Sequence, residues 1–265
     1  MAEADLQKTL QQLRQTLSSS QIHNASSLLS RAKLSLLKLN ALVPNPQASR
    51  NSLLLARETL ELGALISIRL KDSEAFTRYF QQLQPFYSLP TDQVPRSDNQ
   101  SKITGLFLLL RLSQGDYAGF HTVMEGLEVA AGREEGGMQR MEADVCIQYP
   151  VRLEQALMEG SYDRVWGETK GEKVPSEEFA IFTKVLIDTI RSEIASCSEK
   201  AYPSIPVSNA KNLFFLDSEG EVIDFARSRD WVAKDGRIYF PQQQEQELLG
   251  TGSEASGTVI ENTLG

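Results

Sequence analysis

The chain has 265 residues, of which 41% are hydrophobic and 23% charged, and this composition is typical of a folded protein. Its net charge of −8 and pI near 5.0 argue against general affinity for nucleic acid or anionic membranes. The first residues do not resemble a signal peptide, and no apolar run reaches the roughly 18 residues that a membrane helix needs. Cys146 and Cys197 lie far apart without metal or redox spacing, which predicts free, buried thiols in a reducing compartment.

Leucines at steps of three and four residues predict helices through the first half of the chain. The first such helix has one apolar face, made by Leu6, Leu10, Leu13 and Leu17. Further helices are predicted over SLLSRAKLSLLKLNAL, SRNSLLLARETLELGALISIRL and SEAFTRYFQQLQPFY. The segment SKITGLFLLLRLSQ is apolar nearly all round, so we expect its helix to lie at the centre of the fold.

Three junctions between helices resemble one another. In each, a helix ends at a turn residue and an aromatic-anchored helix follows; the turn residues are Asp72, Gly115 and Gly160. The aromatic positions after them, Phe76, Tyr117 and Tyr162, lie about 41 and 45 residues apart. This period is typical of stacked helix pairs, each of which buries a face on its neighbour. Residues 1–170 are therefore predicted to form an α-solenoid, with an irregular helical bundle as the alternative.

The elements that follow have the order of a winged helix. A helix over SEEFAIFTKVLIDTIRSEIASCS precedes a short extended segment, AYPSIPVS, two further helices and a hairpin over RDWVAKDGRIYFP. Asp235 and Gly236 supply the turn, and Ile238 and Phe240 return on one face of the hairpin. Trp231 is the expected anchor, because a two-stranded hairpin alone is marginal in water.

The charge of this region does not favour DNA. Residues 200–240 contain six basic and six acidic side chains, whereas a phosphate-binding domain needs a basic face. Contact with proteins through an open strand edge is therefore the preferred interpretation of the hairpin.

Signatures of catalysis are missing from the sequence. The two histidines, His23 and His121, have no partner at metal-ligand spacing, and neither a phosphate-binding loop in its strand–loop–helix context nor a Gly-x-Ser-x-Gly motif is found. We predict a protein that is not an enzyme and that has no cofactor or metal.

A helical solenoid followed by a charge-neutral winged helix resembles the PCI domain, named for the proteasome lid, the COP9 signalosome and an initiation-factor complex. The blocks SLPTDQVPRSDNQSKITGLFLLLRLSQGDYAGFHTVMEGL and RDWVAKDGRIYFP are similar to those of proteasome lid subunits, and the resemblance covers residues 1–240. It implies a mostly α fold: a right-handed helical-repeat solenoid of TPR-like helix pairs over 1–170, then a winged-helix subdomain with a small β-hairpin over 171–241. The PCI domain as a whole is expected over residues 75–241.

The resemblance implies a non-catalytic role in assembling the proteasome lid and in ubiquitin-dependent degradation, in the cytoplasm and nucleus. The expected partners are other PCI subunits of the lid and a ubiquitin-receptor subunit of the regulatory particle, with no nucleic acid and no membrane. The alternatives are a scaffold subunit of the COP9 signalosome or of the initiation-factor-three complex, and a nucleic-acid-binding winged-helix protein.

Two sets of interface residues are carried over from the family. The first is the edge of the winged helix: Trp231, Val232, Ile238, Tyr239 and Phe240. The second is the start of a C-terminal assembly helix, with apolar residues Val259, Ile260 and Leu264 after a flexible tether; residues 242–265 comprise both. The family's helix continues beyond the position of Gly265, so we expect it to be only partly present. Ile238→Asp or Phe240→Asp is predicted to weaken incorporation into the lid.

Overall fold

The computed structural model describes residues 2–18, 25–45 and 48–241. It divides the chain into two compact units, Met1–Leu186 and Ile187–Gly265, and the division falls within one long helix. Helices make up most of both units, and a small three-stranded sheet belongs to the second. The prediction of a mostly α chain of helix pairs followed by a winged helix is therefore confirmed.

The first unit consists of helices joined by short connections. They are α1 (Ala2–Ser18), α2 (Ala25–Lys38), α3 (Arg50–Arg69), α4 (Ser73–Tyr87), α5 (Asp98–Ser113), α6 (Tyr117–Gly132), α7 (Gly137–Ala143), α8 (Val145–Met158), α9 (Tyr162–Thr169) and the start of α10 (Glu177–Ala201), with a short 3-10 helix at Gly171–Lys173. Helix α1 packs on α2, α3 on α4, α5 on α6 and α8, and α8 on α9. The short helix α7 had no counterpart in the prediction.

The three predicted junctions share one hydrogen-bonding pattern. Each preceding helix is followed by a residue with positive φ: Lys71 (59°), Gly115 (70°) and Gly160 (66°). The next amide donates back to the carbonyl five residues earlier: Asp72 to Ser67 at 2.9 Å, Asp116 to Arg111 at 3.0 Å and Ser161 to Ala156 at 2.9 Å. This is the Schellman arrangement, which satisfies carbonyls at the end of a helix. At the first two junctions the same aspartate then caps the following helix.

The buried anchors of these junctions differ from the predicted ones. Four residues after each cap stands a side chain that is almost completely buried; these are Phe76, Phe120 and Val165. Tyr117 and Tyr162 instead open their helices, and Tyr162 is exposed. The predicted equivalence of Phe76, Tyr117 and Tyr162 is therefore wrong, because the apolar repeat is set by distance from the cap and not by aromatic character.

Helix α5 lies at the centre of the first unit, as predicted, and is buried from Ile103 to Leu110. Its close contact with α8 depends on Gly105. A Cβ atom at this position would overlap the carbonyl oxygen of Cys146 in α8. Pro150 stands four residues after Cys146 and has no N–H to donate to that carbonyl within the helix. Gly105 and Pro150 together therefore explain how the two helices approach so closely.

A buried carboxylate joins the start of α10 to α3 and α5. Oxygens of Glu178 lie 3.1 Å from Arg69 Nη2 and 2.8 Å from Lys102 Nζ, and the hydroxyl of Ser176 donates at 2.9 Å. Burial by itself raises the pKa of Glu178, but hydrogen bonds from Lys102, from its own backbone N–H and from Ser176, with the charge of Lys102, bring it down to about 2. The ionised form is thus the one that the fold stabilises.

A second buried carboxylate, Glu61 in α3, holds the segment that leads into α5. It accepts hydrogen bonds from Ser97 at 2.9 Å, from Asn99 at 3.3 Å and from the hydroxyl of Tyr87 at 3.3 Å. Burial raises its pKa, and the hydrogen bonds and the charge of Arg57 oppose that rise. The buried polar group is thus matched by several donors, as buried groups require.

The second unit continues from α10 with a winged-helix order of elements. These are β1 (Ser204–Pro206), α11 (Val207–Leu213), α12 (Glu219–Ser228), β2 (Val232–Lys234) and β3 (Arg237–Tyr239). The strands form an antiparallel sheet of order β1-β3-β2. The segment predicted as short and extended is thus a third strand, and it supports the hairpin from the β3 side.

Candidate functional site

The hairpin of the second unit is held by a continuous hydrophobic core. Its members come from α10, α11, α12 and the sheet: Ala195, Ile205, Val207, Ala210, Phe214, Val222, Ala226, Trp231, Ile238 and Phe240. The rings of Trp231 and Phe240 meet edge to face, with their centroids 4.7 Å apart. The centroid of the Trp231 ring also lies 5.6 Å from that of Phe214. Aromatic contacts of this kind add to the energy of simple burial. Trp231 is therefore the anchor that the sequence predicted.

Trp231 is held in place through both its backbone and its side chain. Asp230, two residues after the end of α12, has φ 57°, and the backbone N–H of Trp231 donates to Ala226 O at 2.9 Å. The indole Nε1–H donates to Glu199 Oε1 in α10 at 2.8 Å. Arg229 Nη1 reaches the same oxygen at 3.0 Å. The hairpin therefore starts from a defined point on the helices.

The hairpin turn has the geometry that its sequence predicts. Asp235 and Gly236 both have positive φ, 52° and 71°, which is the type I′ combination suited to a two-residue connection. Across the hairpin, Val232 pairs with Tyr239 and Lys234 with Arg237. Paired residues project from the same face of a sheet. Val232 and Tyr239 therefore lie side by side on one face of the hairpin.

The five predicted wing residues separate into two groups. Trp231, Ile238 and Phe240 are buried in the core of their own unit and are 5%, 0% and 7% exposed. Val232 and Tyr239 are 60% and 42% exposed. The predicted residues of the C-terminal helix, Val259, Ile260 and Leu264, lie outside the described residues. Of the predicted residues that the structure describes, Val232 and Tyr239 are thus the ones with exposed side chains.

The backbone of β2 offers an open edge beside this pair. On β3, Gly236 O accepts from Val207 N at 2.9 Å, and Phe240 N donates to Pro203 O at 3.3 Å, so the even-numbered residues bond toward β1. The odd-numbered residues, Arg237 and Tyr239, therefore bond toward β2. It follows that the N–H and C=O of Ala233 point to the outer side of β2. Within the described part of the chain, no strand pairs with that side.

The opposite edge of the sheet is blunted. On β1, Pro206 has no N–H, and Arg237 Nη2 reaches Ser204 O at 3.4 Å and Ser204 Oγ at 3.0 Å. The available edge is therefore that of β2. We call the surface formed by Val232 and Ala233 of β2, with Tyr239 of β3 beside Val232, the β2 edge. Ala233 was not among the predicted site residues, although its outward N–H follows from a two-residue turn at Asp235–Gly236.

The electrostatics of the second unit do not favour phosphate binding. Helix α12, which follows α11 as a recognition helix would, carries Glu219 and Glu221 in its first turn, directly after Asp217. Acids at a helix N-terminus occupy the place where backbone N–H groups would otherwise attract a phosphate.

The histidines and cysteines of the described residues do not form a reactive or metal-binding cluster. His121 lies 3.3 Å from Glu154 in the first unit, and His23 falls outside the described residues. Cys146 and Cys197 are free thiols; Cys146 is partly buried and Cys197 is exposed, so the prediction that both are buried is wrong for Cys197. Across residues 2–18, 25–45 and 48–241, no cluster of three His, Cys, Asp or Glu side chains is placed to hold a metal ion. None of the described helices is long and apolar enough to span a membrane.

Comparisons with known proteins identify similar sequences. The family model described as CSN8/PSMD8/EIF3K matches residues 98–248, a range that includes the β2 edge. The 26S proteasome regulatory subunit RPN12 of Saccharomyces cerevisiae is 34% identical over 224 residues, which cover 83% of this chain and 79% of the relative. Its namesake in Schizosaccharomyces pombe is 36% identical over 215 residues, covering 81% and 74%. The 26S proteasome non-ATPase regulatory subunit 8 homolog A of Arabidopsis thaliana is 34% identical over 229 residues, covering 84% and 81%.

Proposed function

This chain belongs to the CSN8/PSMD8/EIF3K family, and on that premise we propose that it is a non-catalytic subunit of the 26S proteasome lid. The observation that carries the proposal is the similarity, over about four-fifths of the chain, to relatives named as 26S proteasome regulatory subunits. In this role the protein joins other subunits of the regulatory particle and serves ubiquitin-dependent degradation in the cytoplasm and nucleus. It contributes structure and no chemical step.

The β2 edge is the surface that makes the principal contact in this proposal. An exposed strand edge binds a partner by adding a strand to the sheet, with backbone hydrogen bonds supplying affinity and neighbouring side chains supplying specificity. Ala233 supplies the outward N–H and C=O, and Val232 and Tyr239 supply exposed apolar contacts beside them. The partner is the winged helix of another PCI subunit of the lid.

Two further contacts complete the proposal. The first is contact of Val259, Ile260 and Leu264, which lie outside the described residues, with the C-terminal parts of other lid subunits. The helix pairs of the first unit offer a face to a ubiquitin-receptor subunit. Both rest on the resemblance to PCI subunits and stand as hypotheses beside the β2 edge.

A substitution at Ala233 tests the edge directly. Ala233→Pro removes the outward N–H, while proline is tolerated on edge strands whose N–H faces solvent. The matched control, Ala233→Thr, keeps that N–H and suits a strand. Loss of one backbone hydrogen bond is expected to weaken lid association roughly three- to tenfold in the proline variant alone. Equal association of the two variants, with equal thermal stability, contradicts strand addition at β2.

Affinity purification of the tagged chain tests the identity of the complex. Recovery of ATPases together with ubiquitin-cleaving activity supports the 26S proteasome. Recovery of signalosome or initiation-factor subunits instead places the chain in one of the other two branches that the family name covers. Salt-sensitive retention of duplex DNA by the purified chain, without any of these complexes, supports the nucleic-acid alternative.

A further inference from the structure

The N-terminal part of this acidic chain is strongly basic. Residues 6–57 contain seven Lys or Arg and no Asp or Glu, although the whole chain has a net charge of −8. The same stretch contains no Phe, Tyr or Trp. Segregation of charge on this scale creates a local positive potential that attracts acidic partners.

Several of these cations have partners inside the first unit. Arg14 Nε donates to Glu58 at 2.7 Å, Arg57 lies 3.6 Å from Glu61, and Lys33 lies 4.3 Å from the ring centroid of Tyr79. Arg31 and Lys38 differ, because neither forms an ion pair with any residue that the structure describes. Both are exposed and both belong to α2.

Helix α2 has apolar residues on two faces. The inner face is packed in the unit through Ala25, Leu29, Ala32 and Leu36. The outer face carries Leu34 and Leu37, which are 60% and 57% exposed. Leu34 stands three residues after Arg31 and four before Lys38, so these residues share one side of the helix. Apolar and basic side chains are therefore interleaved on the outer face.

A small cavity continues this face beyond the end of the helix. A cavity of about 320 Å³ is lined by Leu37, Asn40, Leu42, Val43, Pro44 and Asn45, and Val43 is 65% exposed. The space is large enough for an apolar side chain from another molecule. We call Arg31, Leu34, Leu37, Lys38 and Val43 the α2 outer surface.

We infer that the α2 outer surface binds an acidic, amphipathic segment of a partner protein. Apolar side chains of that segment cover Leu34 and Leu37, and one of them enters the cavity beside Val43. Carboxylates at its margins pair with Arg31 and Lys38. Apolar contacts at the centre and charges at the rim are the usual arrangement of a protein interface.

The composition of the surface favours a protein over nucleic acid or lipid. Single-stranded nucleic acid is bound by stacking of bases on aromatic rings, and residues 6–57 have no such ring apart from His23. A helix that binds a membrane inserts a broad apolar face, whereas the broad apolar face of α2 is packed inside its own unit. The exposed leucines lie between Arg31 and Lys38, so they suit a segment that has both apolar and acidic side chains.

Photo-crosslinking in cells tests this inference with the full-length chain. A benzophenone amino acid replaces Leu37, and the same group at Val129 of α6 is the matched control. Val129 is apolar and 56% exposed, but it stands beside Glu128 and near Glu125. We expect the group at Leu37 to capture one protein segment in which Asp and Glu outnumber Lys and Arg. Reversal of both charges, Arg31→Glu with Lys38→Glu, is expected to lower that yield about tenfold, since two attractive pairs become repulsive.

Other outcomes overturn the inference. These are capture of nucleic acid or lipid, capture of a neutral or basic segment, a yield no higher than at Val129, and a yield that the double charge reversal leaves unchanged while the variant folds normally. Co-purification with the 26S proteasome is measured in the same cells. A chain that assembles without the crosslink contradicts this inference alone, and one that crosslinks without assembling contradicts the proposed function alone.

Discussion

The indole Nε1–H of Trp231 and the carboxylate of Glu199 form a hydrogen bond of 2.8 Å. It joins the first residue of the hairpin segment to α10, across 32 residues of sequence. Arg229 shares the same carboxylate oxygen, so Glu199 satisfies two donors at once. A charge-assisted hydrogen bond to a partly buried carboxylate is stronger than a neutral one. Glu199 is therefore expected to govern the stability of the second unit.

Replacement of Glu199 tests this expectation. Glu199→Ala leaves Trp231 Nε1 and Arg229 without their shared acceptor, and we expect the free energy of unfolding to fall by about 2 kcal/mol. Glu193→Ala is the matched control, since Glu193 is an exposed glutamate of the same helix and is expected to change stability by less than about 0.5 kcal/mol. Urea unfolding followed by tryptophan fluorescence measures both. Equal stability of the two variants contradicts the role assigned to Glu199.

The hairpin residues are expected to separate by their effect on folding. Ile238→Asp places a charge in the core and is expected to cost more than about 4 kcal/mol, which unfolds the second unit. Val232→Asp, on the exposed partner strand, is expected to cost less than about 1 kcal/mol. Circular dichroism melting of both variants measures the difference. A well-folded Ile238→Asp variant contradicts the assignment of Ile238 to the core.

This separation also changes how loss of assembly is interpreted. A failure of Ile238→Asp or Phe240→Asp to enter the lid reports an unfolded unit, because both side chains are buried. A failure of Val232→Asp, which keeps the fold, reports the surface itself. Val232 and Tyr239 are thus the positions at which an interface can be tested.

Gly105 is expected to be required for the contact of α5 with α8. Gly105→Ala forces a methyl group against the carbonyl oxygen of Cys146, and we expect a loss of about 1–3 kcal/mol. Gly126→Ala in α6 is the matched control. A Cβ there meets no atom within 4 Å, and alanine is expected to stabilise the helix by about 0.5–1 kcal/mol. Chemical denaturation of both variants checks the opposite signs, and a neutral Gly105→Ala contradicts the close approach.

Glu178 is expected to make the first unit sensitive to acid. Its pKa in the folded chain, about 2, lies below the ordinary value of 4.5, so its contribution is fully present above pH 4.5 and is lost as the pH falls through the folded value. The contribution is on the order of 3 kcal/mol for a shift of this size. Glu178→Gln is therefore expected to lower stability at pH 7 and to flatten the decline between pH 4.5 and 2.

The neighbouring glutamate provides the control for this pH dependence. Glu177 is exposed and stands in the same first turn of α10. Glu177→Gln is expected to leave the stability–pH curve nearly parallel to that of the original protein. The measurement is urea unfolding at half-unit steps of pH. A Glu178→Gln curve that stays parallel to the original contradicts the assignment of acid sensitivity to this carboxylate.

Interactions between residues close in the chain could be predicted from the sequence. The turn at Asp235–Gly236 and the ends of helices at Gly115 and Gly160 depend on backbone conformations that a few neighbouring residues determine. The helical periodicity of α1 to α5 and the neutral charge of residues 200–240 are also properties of the chain itself. Together they were sufficient to predict helix pairs, a winged helix and a surface unsuited to phosphate.

Tertiary structure decided which side of each element is covered. Alternation along the hairpin places Ala233 and Ile238 on one face and Val232 and Tyr239 on the other, but packing of α10, α11 and α12 is what buries Ile238 while leaving Ala233 exposed. Two other contacts likewise depend on tertiary structure, because they join segments that are distant in the sequence. They are the pairing of β1 with β3 and the ion pair of Arg69 with Glu178, which are 109 residues apart. Contacts between distant segments require the intervening chain to lose conformational entropy, and they form only as the whole chain folds. No local sequence pattern therefore specifies them.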